Sequence, residues 1–397
     1  MVYMKKILIL GGGYSHVPII DTANNMGLYT VVMDKNPNAP GFSISKKSIC
    51  LDGGDKKQVL KIAREENVNG ILATGDYSVI PAAYASQKIK LPGLGIKTAS
   101  LVTNKGKLFE KFRKNGVPLP NRTIVKNYNN AISESKKIGF PLILKPVYSF
   151  GASRGVIRVN NVNELKEKYQ FTEKFCLKKG VILEQFIEGV EHTIESLIVN
   201  GKTKVLAISD KIRTIDPYCV AISLDYPSKQ SIEIQKKIIK AAKIANNTAG
   251  IVNGASHIEA ISNKNNVYVI DFGGRGGAGG FIPTAVVPHV KGINMMKNMI
   301  HIALGEKTEP LIEKHSNYVV YRFFVPNPGV VKKIIGLKKI KKFKWIVDLR
   351  IYVKKGDQIR PLSNQLLRSG HFVVIGRNQK EVNKRVRIVE DMIKIIT

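Results

Sequence analysis

The chain has 397 residues, of which 44% are hydrophobic, so it is long enough for two or three domains with a substantial core, and global disorder is not expected. Lysine and arginine outnumber aspartate and glutamate by 63 to 30, which gives a formal net charge of +33. The three cysteines show no paired spacing, which argues against a disulfide framework or a zinc site and favours a reducing, cytoplasmic location. No apolar run approaches the roughly 20 residues of a membrane span, and the first apolar segment is too short for a signal peptide.

The excess of positive charge invites a nucleic-acid partner. However, the lysines are spread over the whole chain, and no interleaving of aromatic and basic residues of the kind that stacks on bases stands out. The densest basic stretch, residues 332–344, contains seven lysines and repeats apolar residues every three positions, which predicts an amphipathic helix with a solvated basic face. We therefore assign the charge to the capture of anionic small substrates and do not expect nucleic acid as the main partner.

The N-terminal part alternates strand and helix patterns. An apolar strand over residues 5–10 ends in three glycines and precedes a helix and a second strand. An acid about 20 residues after the glycines resembles a dinucleotide fingerprint, but His16 stands at its third glycine position. Because further strands and helices alternate, we expect a Rossmann-like parallel sheet without NAD, covered by helices on both faces, over residues 1–98.

A buried strand is predicted over residues 141–146, with Lys145 near its end. It is followed by a small, hydroxyl-bearing loop that contains Ser149, Gly151 and Ser153. Such a loop can fold its N–H groups over phosphates, but no Gly-Lys-Ser/Thr follows, so it is not a P-loop. The alternative is an ordinary hairpin with a glycine turn. Lys145 would then need a counter-charge, and a bound phosphate would supply one.

A further strand pattern begins at residue 181 and leads through Glu184, Gln185 and Ile187 to Glu191. Backbone groups at the end of this strand can hydrogen-bond to the edge of a purine, and Glu191 can bind a ribose hydroxyl. The segment can equally form an edge strand with exposed acids. On its own, therefore, this pattern leaves both interpretations open.

Residues 257–280 contain the strongest functional pattern. Two apolar runs flank a polar break, which predicts a β-hairpin that brings Glu259 and Asp271 together on adjacent strands. Neighbouring carboxylates repel unless a cation lies between them, and hard oxygen ligands suit Mg²⁺. Six glycines within residues 273–280 allow close approach to a ligand, and Arg275 among them can bind a phosphate or carboxylate through two hydrogen bonds. The alternative is a solvated hairpin with an ordinary glycine turn.

The order of these patterns resembles the ATP-grasp superfamily over the chain up to about residue 305. The resemblance implies an α/β fold with α+β lobes. Its parts are the Rossmann-like N-terminal domain, a two-lobed ATP-binding domain over residues 99–310 and a small C-terminal α+β domain over residues 311–397, closed by a helix over residues 381–396. The Arg275-x-x-x-Gly279-Gly280 spacing and the C-terminal patterns are similar to the L-amino-acid ligase branch.

The resemblance also implies cofactors and residue roles. It implies ATP with Mg²⁺ or Mn²⁺, with Glu259 and Asp271 as metal ligands and Arg275 as the catalytic group that stabilises the acyl phosphate. The residues implied to bind the nucleotide are Lys105, Lys145, Ser149, Gly151, Ser153, Glu184, Gln185, Ile187 and Glu191. Gly273 stands where many members have an asparagine, which removes one metal ligand.

The implied activity is an ADP-forming ligation of a small-molecule carboxylate to a small-molecule amine through an acyl phosphate, with amino acids as one substrate class. Two alternatives stay open. One is a purine-biosynthesis or bicarbonate-using ATP-grasp enzyme, because the triple-glycine opening also resembles the ATPase of aminoimidazole ribonucleotide carboxylase. The other is a non-catalytic binder of nucleotides or polyanions. No membrane partner is expected, and a homodimer is left open.

Overall fold

The computed structural model describes residues 4–148, 151–178, 180–214, 217–314, 317–340 and 342–397. Within these ranges the strands form two four-stranded sheets, one nine-stranded sheet and two small two-stranded sheets. None of the described helices has the length and apolar character that a membrane span requires.

The first sheet is parallel, and its strands have the order β3-β2-β1-β4. Its elements are β1 (Lys6–Leu10), α1 (Val17–Asn25), β2 (Tyr29–Met33), β3 (Lys47–Ile49), α2 (Lys56–Glu65), β4 (Gly70–Ala73), α3 (Asp76–Lys88) and α4 (Ile96–Val102). Ile7 and Leu8 belong to different buried clusters, because helices cover both faces of the sheet. The Rossmann-like alternation thus forms close to its predicted limits. The predicted domain boundary at residue 98 falls within α4 and stays a prediction.

The second sheet is antiparallel, with the order β5-β8-β6-β7. Its segment comprises α5 (Lys105–Lys114), β5 (Arg122–Val125), α6 (Tyr128–Ile138), β6 (Leu142–Pro146), β7 (Ile157–Val159), α7 (Val162–Glu173) and β8 (Val181–Gln185). The ring of Phe112 packs edge-on against that of Phe272, with centroids 5.4 Å apart. Since Lys105 is the first residue of the same helix, this packing sets the position of the lysine.

The third sheet has nine strands in the order β14-β13-β9-β11-β12-β15-β20-β18, with β10 paired to β9. Its first part comprises β9 (Val190–Val199), β10 (Lys202–Ile208), β11 (Asp210–Arg213), β12 (Ala221–Tyr226), α8 (Ile232–Ala249), β13 (Gly254–Ser262), β14 (Val267–Gly273), α9 (Val287–Lys291) and α10 (Met295–Ala303). The predicted hairpin is the β13–β14 pair, in which Glu259 lies directly opposite Asp271 next to a bulge.

The C-terminal segment extends this sheet, because β15 pairs with β12 and β20 pairs with β15. Its elements are β15 (Tyr318–Phe323), β16 (Gly329–Val330), β17 (Lys333–Ile335), α11 (Leu337–Ile340), β18 (Ile346–Ile351), β19 (Gln358–Ile359), β20 (Gly370–Gly376), α12 (Gln379–Met392) and β21 (Lys394–Ile396). Buried residues of β15, β20 and α12 form a separate apolar cluster. The boundary placed at residue 310 stays a prediction.

One helix prediction in this segment is wrong, and a second helix forms but ends earlier than predicted. The basic stretch over residues 332–344 forms the short strand β17 and the single-turn α11, and the closing helix ends at Met392 before the strand β21. Both differences have one cause, since β17 and β21 pair with each other in antiparallel register. Gly336 follows β17 with a φ of +89°, and a Cβ there would collide with the Met392 carbonyl.

Candidate active site

A cavity of about 450 Å³ is lined by residues of the second and third sheets, of the loops that follow β1 and β4, and of the C-terminal segment. Its volume lies within the range of about 300–1,000 Å³ that is common for small-molecule sites. Nearly every residue singled out in the sequence lines it; Ser149 lies outside the described residues.

The β13–β14 hairpin places two carboxylates at the cavity. Glu259 Oε1 lies 2.8 Å from Lys211 Nζ, and Asp271 Oδ1 forms an ion pair with Lys105 Nζ. These ammonium groups supply the positive charge that two adjacent carboxylates require. The arrangement therefore brings together the two acids and one of the two lysines that the sequence singled out.

Lys145 is buried at the end of β6. Its Nζ lies 2.7 Å from Glu184 Oε1 and 3.0 Å from the Ile270 carbonyl oxygen. Burial lowers the pKa of Lys145, although the Glu184 charge opposes that shift. The counter-charge that Lys145 was expected to need, for which a bound phosphate was the suggested source, comes in this structure from Glu184 on the neighbouring strand.

The segment that follows β8 forms another part of the wall. Glu184, Gln185 and Ile187 all line the cavity, as does the intervening Phe186. The guanidinium of Arg158 lies 4.0 Å from the centroid of the Phe186 ring, and this aromatic surface was missed in the sequence. The interpretation of this segment as an edge strand with exposed acids does not hold, since β8 pairs with both β5 and β6, and Glu184 and Glu191 are buried.

Glu191, the acid predicted to contact a ribose, is also at the cavity but is already paired. It forms ion pairs with Lys211 and, at 3.4 Å, with Arg213. Lys211 thus joins Glu191 to Glu259, and burial of the ammonium is outweighed by the two carboxylates, which raise the pKa of Lys211. This lysine was missed in the sequence, where the only signal was a charged residue between Asp210 and Ile212 in a strand.

The small loop after β6 contacts the C-terminal segment. Gln365 Nε2 lies 3.1 Å from Ser153 Oγ, and the Gln365 backbone N–H donates to the Ala152 carbonyl at 3.0 Å. Ala152 and Ser153 have φ values of +62° and +56°, an unusual conformation for residues with a side chain. The contacts with Gln365 favour this conformation, in which Gly151 and Ser153 line the cavity.

Arg275 lies in the glycine-rich segment and reaches across to the first sheet. Its guanidinium makes two hydrogen bonds to Asp76, with Nε–Oδ1 at 2.9 Å and Nη2–Oδ2 at 3.0 Å. Although burial opposes it, the charge of Arg275 holds the pKa of Asp76 below its ordinary value. Asp76 is the first residue of α3, so this bidentate pair ties the N-terminal sheet to the hairpin.

A second charge pair lies behind the hairpin acids. His257 Nδ1 lies 2.5 Å from Glu195 Oε1, and although burial disfavours the charged ring, Glu195 raises the pKa of His257 to about 9. Burial also opposes the ionisation of Glu259, but Lys211 and His257 hold the pKa of Glu259 well below its ordinary value. At neutral pH, Glu259 is therefore an anion.

The C-terminal segment contributes aromatic and basic residues that sequence reasoning missed. Tyr321, Phe323, Tyr352 and Arg368 line the cavity, and the Arg368 guanidinium lies 3.5 Å from the centroid of the Phe323 ring. Tyr321 and Phe323 alternate along an apolar strand, as ordinary sheet residues do, and it is the pairing of β15 with β12 that brings this strand to the cavity.

Two protein-family models match the chain: the ATP-grasp domain over residues 138–284 and the L-amino acid ligase C-terminal domain 2 over residues 322–397. An L-amino acid ligase structure from Bacillus licheniformis is similar with a TM-score of 0.83 and 25% identity, covering 100% of this chain and 99% of that one. A phosphoribosylglycinamide synthetase structure from Anaerococcus prevotii is similar with a TM-score of 0.79 and 21% identity, over 99% of this chain and 100% of that one.

In sequence, the chain is similar to the alanine–anticapsin ligase of Bacillus subtilis strain 168, with 29% identity over 234 residues. That similarity covers 53% of this chain and 48% of the relative, so the chain spans about half the length of that protein. The fold is that of the ATP-grasp superfamily. The chain contains an ATP-grasp domain followed by an L-amino acid ligase C-terminal domain, which confirms the resemblance and supports the L-amino-acid ligase branch.

We predict that the two cavity lysines differ in their effect on folding. Lys145→Ala leaves buried Glu184 with one cation fewer and should lower the free energy of unfolding by on the order of 3 kcal/mol. Lys105→Ala, which removes a partly exposed partner of Asp271, should change it by less than about 1 kcal/mol. Urea denaturation without nucleotide measures both. Equal losses in the two variants would contradict this assignment of buried and exposed pairs.

Proposed function

We propose that this chain is an ATP-dependent, ADP-forming carboxylate–amine ligase that acts through an acyl phosphate, with amino acids as a substrate class. The observation that carries the proposal is the set of charged groups at one cavity: Glu259 opposite Asp271, two lysines, and Arg275 in a glycine-rich segment. Similarity to an L-amino acid ligase and to alanine–anticapsin ligase supports it.

In this proposal the nucleotide lies between the second and third sheets. Lys105 and Lys145 hold phosphate oxygens, with Lys105 exchanging Asp271 for a phosphate. The residues that complete the proposed nucleotide site are Ser149, Gly151, Ser153, Glu184, Gln185, Ile187 and Glu191. The glycine loop supplies backbone N–H groups to the phosphates, and the segment after β8 contacts the base.

The residues at the hairpin fit a divalent cation. Glu259 and Asp271 are directly opposite each other, and each already has a protein cation at its carboxylate. Among the described residues, no group of three or more His, Cys, Asp and Glu could hold a metal. Such a two-carboxylate site suits Mg²⁺ or Mn²⁺, which takes its remaining ligands from phosphates and water. When bound, the ion would neutralise negative charge on the phosphates.

The substrate carboxylate is a poor electrophile, so it must first be activated. Its oxygen attacks the γ-phosphorus of ATP, the bond to ADP breaks, and an acyl phosphate results. Arg275 stabilises the charge that develops on the transferring group and on the tetrahedral oxyanion. To do so, its guanidinium exchanges part of its hydrogen bonding to Asp76 for hydrogen bonds to the reacting oxygens. The amine then displaces phosphate, and no protein nucleophile is required.

The cellular setting is part of the same proposal. Within the described residues, Cys50, Cys176 and Cys219 form no disulfide, which is typical of a protein in the reducing cytoplasm. Small-molecule carboxylates and amines are the proposed partners. A homodimer stays a prediction.

We expect ADP release that depends on both a carboxylate and an amine in a screen of amino-acid and carboxylic-acid pairs. Arg275→Ala should lower turnover by about 10²–10³-fold, because it removes one preorganised charge stabiliser. Nucleotide affinity should change much less. Arg275→Lys is the matched control, since it keeps the charge but loses the bidentate geometry, and it should fall between the wild type and Arg275→Ala.

The same screen distinguishes the alternatives. ADP release that requires bicarbonate and no other carboxylate would favour a bicarbonate-using enzyme and contradict the ligase proposal. Tight nucleotide binding without turnover for any pair would favour a non-catalytic binder.

We expect Glu259→Gln and Asp271→Asn each to raise the Mg²⁺ concentration needed for half-maximal turnover, because an amide is a weaker ligand for a hard cation than a carboxylate. Glu167→Gln is the matched control, since it removes one negative charge from an exposed helix position in α7. A titration of turnover against Mg²⁺ measures all three. Wild-type metal dependence in both hairpin variants would exclude the hairpin as the metal site.

A further inference from the structure

Hydrogen bonds connect the cavity to a buried histidine of the C-terminal segment. Tyr352 lines the cavity, and its hydroxyl contacts His371 Nδ1. On the other side of the ring, His371 Nε2 lies 3.0 Å from Asp348 Oδ1. His371 is only 2% exposed, whereas Tyr352 is 40% exposed. The tyrosine is therefore the member of this Tyr–His–Asp set that a ligand can reach.

We propose that Tyr352, His371 and Asp348 form a proton relay that removes the proton from the amine substrate. The proposal rests on the ligase function. It specifies how the amine loses its proton before it attacks the acyl phosphate. Tyr352 is the catalytic residue, since it touches the amine. His371 and Asp348 act through it as positioning residues.

The hydrogen bonds define the protonation state of the relay. Asp348 can only accept, so Nε2 of His371 donates to it, and Nδ1 then has the lone pair that accepts from the Tyr352 hydroxyl. Burial holds the pKa of His371 below its ordinary value, although Asp348 opposes this shift, so the ring is neutral near pH 7. Burial also raises the pKa of Tyr352 to about 12, which keeps its hydroxyl a donor.

The proton transfer balances without any further reagent. An N–H bond of the substrate ammonium breaks, and its proton passes to the Tyr352 oxygen while the phenolic proton passes to His371 Nδ1. The freed lone pair of the amine attacks the acyl carbon, and phosphate leaves with the electrons of the C–O bond. The second N–H proton, which the nitrogen loses as the amide forms, passes to the departing phosphate. Asp348 stabilises the imidazolium that results, as the aspartate of a Ser-His-Asp triad does. The proton later returns to water by the reverse route.

Other acid–base groups at the cavity are poorly suited to this task. Its carboxylates are paired: Asp76 with Arg275, Glu184 with Lys145, Glu191 and Glu259 with Lys211, and Asp271 with Lys105. His257 is already protonated at neutral pH, because Glu195 raises its pKa to about 9 against the effect of burial. Burial lowers the pKa of His16 to about 4, which makes it a weak base.

The charged groups around His371 modulate the relay. Arg350 Nε lies 3.1 Å from Asp348 Oδ1, and Arg350 Nη1 donates to the Tyr14 carbonyl at 3.1 Å. Arg368 also lowers the pKa of His371, and the Tyr321 ring packs edge-on against the imidazole with centroids 5.1 Å apart. Both arginines oppose an imidazolium, so Asp348 is the group that makes proton uptake possible.

The test compares two nucleophiles with the 397-residue chain, using each L-amino acid in turn as the carboxylate. One nucleophile is a second amino acid, whose amine is an ammonium at neutral pH. The other is hydroxylamine, which is uncharged at neutral pH and needs no base. Tyr352→Phe should slow dipeptide formation by about 10²-fold or more, as loss of a general base does. Hydroxamate formation should continue at the wild-type rate.

Tyr14→Phe is the matched control. The Tyr14 ring stacks on Tyr352, with centroids 5.9 Å apart, so the variant removes a hydroxyl next to the relay. It should retain both rates.

The dipeptide rate of the wild type should fall as the pH drops through the pKa of His371, because only the neutral ring accepts a proton. Asp348→Asn should move this fall in rate to lower pH, since the substitution removes the negative charge that favours the imidazolium.

The outcomes separate the relay from the ligase function. If the wild type forms both products and Tyr352→Phe slows them equally, the relay is wrong and the ligase function stands. If the wild type forms neither product with any amino acid, the ligase function fails and the relay fails with it. Nitrogen-15 NMR of His371 adds a measurement without substrate: a neutral ring protonated at Nε2 supports the relay, and an imidazolium at pH 7 overturns it.

Discussion

Opposite charges from distant parts of the chain meet at the cavity, and the rest of the site depends on these pairs. Lys105 and Asp271 are 166 residues apart, and Asp76 and Arg275 are 199 residues apart. A charge that is buried without a partner is costly, so the buried pairs, such as Lys145 with Glu184, stabilise the enclosed cavity more than the partly exposed pair of Lys105 with Asp271. The same pairs have a consequence for binding. A phosphate that binds Lys105 breaks the ion pair between Lys105 and Asp271. The new interaction must therefore contribute more free energy than that ion pair, unless a cation replaces the lysine at the Asp271 carboxylate.

Much of the fold follows from local patterns. The apolar runs, glycines and polar break around the β13–β14 hairpin are all within one segment, and the hairpin forms with Glu259 opposite Asp271. The alternating elements of the first sheet and the strand that ends near Lys145 are equally local. Local patterns also singled out the proposed site residues, most of which line the cavity, because glycines and charged residues at strand ends stand out against apolar runs.

Properties that depend on partners distant in sequence were not predictable in this way. Lys145 was expected to need a counter-charge such as a bound phosphate, and the structure supplies one in Glu184 on a neighbouring strand. The basic stretch from residue 332 has helical spacing, yet its first residues pair with the last strand of the chain. Lys211 looks like an ordinary strand residue, and only the order of strands in the nine-stranded sheet brings it to the cavity.

Transfer of the γ-phosphoryl group to a substrate carboxylate is the central step of the proposed reaction, and isotope transfer tests it most directly. With a carboxylate labelled with ¹⁸O, the proposed mechanism breaks the bond between that oxygen and the acyl carbon when the amine displaces phosphate. Mass spectrometry should therefore find the label in the released inorganic phosphate, together with ADP. Label in AMP would instead mean attack at the α-phosphorus, which contradicts the acyl-phosphate route and the role proposed for Arg275.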